Sequence, residues 1–112
     1  MTATHADPQT VQTIRELAGQ PDRVRLTMRA KCDLWAENLA KEDVCDAICD
    51  WVDAGKSLRV VITEHVAEHK GKPQYEMLPQ VREAKLLVKV TIVDLGEWQE
   101  KLLIVSSHRP NR

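Results

Sequence analysis

Leu86-Leu-Val-Lys-Val-Thr-Ile-Val93, then Asp94-Leu-Gly-Glu-Trp-Gln99, then Leu102-Leu-Ile-Val-Ser-Ser-His-Arg109 is the stretch that decides the fold. Two β-branched, mostly apolar runs flank a connection that carries a glycine and charges. That pattern predicts two central antiparallel strands joined as a hairpin, Leu86–Val93 and Lys101–Ser107. Side chains alternate along a strand, so Val88, Val90 and Ile92 fall on one face. Leu87, Lys89, Thr91 and Val93 fall on the other. Lys89 interrupts an apolar run, and His108 closes the second run. Both are candidates for chemistry, at a strand surface and a strand end. The plainer reading is a buried hairpin with a surface lysine and a polar tail.

Outward from the hairpin, the pattern upstream is helical. Val11, Ile14, Leu17 and Ala18 recur at helical spacing within Gln9–Ala18, and Gly19 and Pro21-Asp22 follow as a stop. Residues 1–8 read as a disordered lead-in, ahead of a single domain over 9–109. Thr27 is a suitable N-cap for a second helix. Met28, Cys32, Trp35 and Leu39 form its apolar stripe, which makes Cys32 a packed thiol. A third helix is expected over Glu42–Ala54, with Val44, Ile48, Trp51 and Val52 inward and Gly55 as the C-terminal signal. The pattern then turns to strand at Lys56–Thr63 and again at Gln74–Leu78, which stops at Pro79. The predicted fold is α+β: N-terminal helices packed on a mostly antiparallel sheet of about four strands.

Composition narrows the function. The chain has 112 residues, a formal charge of -1 and three cysteines. One modest core is expected, with neither a disulfide framework nor a strongly basic nucleic-acid coat. No run is long and apolar enough for a membrane span, and a reducing, cytoplasmic setting is the simplest expectation. Cys45 and Cys49, one turn apart, lack the further ligands a structural metal needs.

His65-Val-Ala-Glu68-His69 matches the H-x-x-E-H arrangement of one zinc-hydrolase class. The surrounding run is short and polar, and a third ligand must come from elsewhere, with Asp94 or Glu97 as options. A solvated loop is the plainer reading. No metal and no cofactor are expected. Gly55-Lys56-Ser57 ends like a phosphate-binding loop but lacks its earlier glycine.

The remaining polar set is Lys56, His65, His69, Gln74, Tyr75, Lys89, His108 and Arg109. These residue types suit metal-free RNA cleavage. A base takes the 2′-hydroxyl proton, a cation steadies the phosphorane oxygens, and an acid protonates the leaving oxygen. Histidine serves as acid or base near neutral pH, and Tyr75 could stack on a base. Structural roles explain the same residues equally well.

Four segments carry a resemblance. Met28–Ile48 resembles the helical region of MqsR-like toxins, small mRNA interferases of the RelE-like, barnase-related fold group. Gln74-Tyr-Glu-Met-Leu-Pro79, Leu86-Leu-Val-Lys-Val90 and Leu103-Ile-Val-Ser-Ser-His108 follow in the family's order. The resemblance spans residues 25–108. It implies a type II toxin that cleaves single-stranded mRNA without a cofactor and is held in check by a cognate antitoxin. It also implies catalytic roles for Gln74, Lys56, Lys89 and His108, the last near a family lysine. Tyr75, Arg109, His65 and His69 then serve as substrate contacts. The family tyrosine falls on Leu87, which cannot transfer a proton. That departure keeps a second class open: a non-catalytic interaction domain on the same fold.

Overall fold

A computed structural model of the chain describes residues 5–62, 73–93 and 100–110. It is a small α+β domain, with N-terminal helices packed against a mixed, largely antiparallel sheet. Helices α1 (Pro8–Ala18), α2 (Met28–Ala36) and α3 (Lys41–Asp53) come first, with strand β1 (Val24–Leu26) between the first two. Strands β2 (Arg59–Ile62), β3 (Pro73–Met77), β4 (Gln80–Val81), β5 (Ala84–Lys85), β6 (Leu87–Val93) and β7 (Lys101–His108) follow. The main sheet has the order β1-β7-β6-β3-β2, and β4 and β5 form a separate two-stranded pair.

The hairpin forms as the sequence predicts: β6 and β7 pair antiparallel at the centre of the sheet. Among the described residues the main sheet has five strands, one more than the four expected as a minimum. The additional strand, β1, pairs parallel with β7 at Val24↔Leu102 through Leu26↔Ile104. Three residues are too few to show a period of two, so the strand was hidden in the sequence. The lead-in also ends earlier than Pro8. The Ala6 N–H donates to the Leu58 carbonyl, His5 bridges Arg59, and Asp7 caps α1 by accepting from the Thr10 N–H at 2.7 Å.

Each helix ends for a local reason. Gly55 adopts φ +79, the left-handed conformation expected of a residue just past a helix. The Gly55 N–H reaches the Val52 carbonyl and the Lys56 N–H reaches the Trp51 carbonyl, a Schellman closure of α3. At the end of α2, Asn38 takes φ 57 and closes the helix in the same way. Its N–H bonds to Trp35, and that of Leu39 bonds to Leu34. Asparagine tolerates this conformation better than most non-glycine residues.

The core lies between α1, α3 and one face of the sheet. Ile14, Leu17, Val44, Ile48, Val88, Val90, Leu102 and Ile104 are all buried there. Strand β7 carries a bulge: Lys89 faces Ser106 while Val90 faces Ile104, so Val105 is the extra residue. Thr27 satisfies the carbonyls around it. Its N–H bonds to Ile104 O and its hydroxyl donates to Val105 O, while the same oxygen caps α2 through the Ala30 N–H.

This anchoring corrects the expected rotation of α2. The side facing β7 carries Ala30, Asp33, Leu34 and Glu37, with the Asp33 carboxylate accepting from the Ser107 N–H at 3.0 Å. Met28, Cys32 and Trp35 consequently point outward, and Trp35 is 85 % exposed. Polar contacts along the edge of β7 set the rotation, not the apolar stripe. Cys32 is therefore an exposed thiol, not a packed one. Trp51 is half-buried against the core, and its indole N–H donates to Ser57 O at 3.0 Å.

Candidate functional site

The two faces of the sheet separate the expected site residues. Tyr75 lies opposite Val90 and shares the helix-covered face with it. There it is packed against the core, and burial pushes its hydroxyl pKa up. It is therefore on the opposite side of the sheet from Lys89.

The other face presents a register-aligned row. Arg59 of β2 lies opposite Glu76 of β3, Glu76 opposite Lys89 of β6, and Lys89 opposite Ser106 of β7. The Lys89 ammonium sits 3.4 Å from the Glu76 carboxylate, both partly shielded from solvent. Cross-strand neighbours of opposite charge support one another in this way. His108 lies opposite Leu87, two residues along from Lys89 on the same face, at the very end of β7. The bulge at Val105 matters here. Without it, Ser106 and His108 would be turned to the opposite face.

A groove of about 330 Å³ borders this row at the sheet end where β2 and β6 begin and β3 and β7 finish. Trp51, Arg59, Glu76, Leu87 and Pro110 contribute to its walls. Lys56 lies beside it, its ammonium 4.9 Å from the centre of the Trp51 ring. The Schellman turn that stops α3 is what folds Lys56 back over that ring.

The other expected residues divide as follows. Gln74 is buried, 3 % exposed, in β3, one alternation from Glu76. Arg109 extends from the end of β7 to Glu37, with its Nε donating to the carboxylate at 2.9 Å, and that contact raises its pKa further. The His108 Nδ1 lies 2.9 Å from its neighbour's carbonyl, Arg109 O. His65 and His69, with Glu68, fall outside the described residues, as do Asp94 and Glu97. Among the described residues, no group of three His, Cys, Asp or Glu side chains could hold a metal ion.

The fold thus brings Lys89 and His108 together on one face and adds Arg59 and Glu76, which the sequence reading did not single out. Their signal was present but weak: a single charged residue in each of two short strands, legible only once the register was known. Tyr75, Lys56 and Arg109 are not on this face or are engaged elsewhere. No helix among the described residues is long and apolar enough to cross a membrane. Comparison with known proteins returned no matching family model, no matching curated protein and no matching solved structure.

Proposed function

We propose that this chain is a metal-independent endoribonuclease acting on single-stranded RNA, of the mRNA-interferase kind, with its chemistry on the sheet face opposite the one that packs against α1 and α3. The observation that carries the reading is the alignment of Arg59, Glu76 and Lys89 across three neighbouring strands, with His108 at the adjacent strand end. The Cα atoms of Glu76 and His108 are about 10 Å apart across the strands and about 7 Å along them. Lys89 stands on the strand between them, where its ammonium would meet a phosphodiester bound to this face.

In this reading Glu76 and His108 share the acid and base roles. One takes the 2′-hydroxyl proton as that oxygen attacks phosphorus. The other protonates the departing 5′-oxygen, leaving a 2′,3′-cyclic phosphate. Lys89 and Arg59 meet the negative charge that develops on the phosphoryl oxygens. The cellular counterpart of this activity is a cytoplasmic toxin of the MqsR-like or RelE-like kind, cutting mRNA and silenced by an antitoxin.

A second reading rests on a different observation. Lys89, on the same face as His108, and Arg109, the residue after it in the chain, already have carboxylate partners in Glu76 and Glu37. A surface neutralised in that way suits a non-catalytic interaction domain.

One experiment separates the two. Cleavage of single-stranded RNA is measured in EDTA with wild type, His108→Ala, Lys89→Ala and Glu76→Gln. The endoribonuclease reading expects cyclic-phosphate products and a loss of about 10²-fold or more in each variant. Full activity in His108→Ala removes that residue from the mechanism. A wild-type protein free of partners that leaves RNA intact favours the interaction domain.

A further inference from the structure

Among the described residues, the outward side of α2 carries the two most exposed large apolar side chains. At 3.6 residues per turn, Met28, Cys32 and Trp35 fall on one line, with Lys31 on one flank and Arg29 on the other. Trp35 is 85 % and Met28 72 % exposed. Lys31 stands one turn before Trp35 and is exposed, and the Arg29 side chain is 67 % exposed while reaching Asp33 at 3.8 Å. Both acids of this segment are also engaged by the C-terminal strand end. Asp33 holds the Ser107 N–H of β7, and Glu37 holds Arg109. The outward face therefore offers an open indole between two cations, Lys31 and the Asp33-paired Arg29.

We infer that this face of α2 is a second contact for single-stranded RNA, with Trp35 stacking on a base and Lys31 and Arg29 meeting the flanking phosphates. The inference rests on the reading of RNA as the substrate. An aromatic plane bordered by cations is the arrangement that holds single strands without regard to sequence. The charge is complementary to a phosphate backbone. The size argues against a folded protein partner. A nine-residue helix about 13 Å long and roughly 10 Å across presents a face on the order of 130 Å², well short of the roughly 800 Å² per partner that a stable protein interface covers. Position adds to the case. Glu37, which follows α2, grips Arg109, so the helix ends beside the strand end that carries His108. One strand of RNA lying across the His108 end of the sheet would continue onto this helix.

The test uses the full chain and a labelled, 2′-O-methylated single-stranded RNA that cannot be cut. Binding is followed by anisotropy over a range of salt. Trp35→Ala is expected to weaken binding about 5- to 100-fold, and Trp35→Phe to restore most of it. Lys31→Ala is expected to lower the slope of log affinity against log salt by about 0.7. Cleavage of a dinucleotide, which is confined to the reacting phosphate, is expected to stay at the wild-type rate in Trp35→Ala. Trp35-dependent binding in a protein that cuts nothing would sink the catalytic reading and leave this contact standing. Cleavage by a protein whose Trp35→Ala variant binds RNA like wild type would do the reverse. A polyglutamate peptide that binds through Trp35 while RNA binding ignores that residue would also overturn the inference, in favour of an acidic protein partner.

Discussion

At the scale of single residues, the three thiols have three different environments. Cys32 is exposed on the outer line of α2. Cys49 is half-buried, with Arg15 3.3 Å from its sulfur. Cys45 is buried in the core, and burial pushes its pKa up to about 11 from an ordinary 9.0. The unfolded thiol releases its proton near pH 9, while the folded one keeps it. The folded state then binds more protons, so stability falls as pH rises through that window. Two units correspond to about 2–3 kcal/mol. Tyr75, raised mainly by its burial, and Cys49 add to the alkaline loss in the same direction. Denaturation measured from pH 8 to 11 should show this fall, and Cys45→Ala should make it shallower. An unchanged slope in that variant would show that Cys45 is not the group responsible.

The acid side has the opposite sign. The Arg15 guanidinium beside Asp53, and the Thr10 hydroxyl together with its N–H at the Asp7 cap, hold those two carboxyls below their usual range. Their contribution is present above the ordinary carboxylate pKa and fades as pH falls through the lowered values. Both groups are exposed, and solvent screening keeps each contribution small.

At the scale of elements, the key junction is where α2 meets the bulge in β7. Thr27 caps the helix with the same oxygen that donates to the bulged Val105 carbonyl. Thr27→Ala removes both bonds and is expected to cost about 2 kcal/mol. Equilibrium denaturation measures this directly, and a cost below about 0.5 kcal/mol would show that neither bond is held in solution. The start of α3 is weaker. Ala40 offers no side-chain acceptor, and only half of a capping box exists, with the Asp43 carboxylate accepting from the Ala40 N–H. Ala40→Ser would complete the box.

At the scale of the whole molecule, the two described tryptophans separate packing from surface. Trp51 joins α3 to the groove, with Lys56 over its ring and Ser57 bonded to its indole. Its half-burial puts Trp51→Ala at about 2–3 kcal/mol, less than for a fully enclosed ring. Trp35→Ala is expected to change stability by less than about 0.5 kcal/mol, because the indole stands in solvent. Comparing the two denaturation midpoints checks the burial of both in one experiment. A large loss in Trp35→Ala would mean that α2 is rotated as its apolar stripe implies.

That contrast marks the line between what local sequence carried and what it did not. The hairpin of β6 and β7, three helices in order and the stop at Gly55 were legible, because each depends on local periodicity or on one residue's backbone freedom. Tertiary structure alone decided the rest. Strand β1 exists because β7 has an edge for it to join. The rotation of α2 is set by Thr27 and Asp33 gripping backbone groups 74 or more residues away in the chain. The face shared by Lys89, Glu76, Arg59 and His108 depends on cross-strand register and on one extra residue at Val105. Register and helix rotation are long-range quantities, fixed by hydrogen bonds between segments distant in the chain. A one-dimensional pattern records which residues alternate, but not which neighbours they meet.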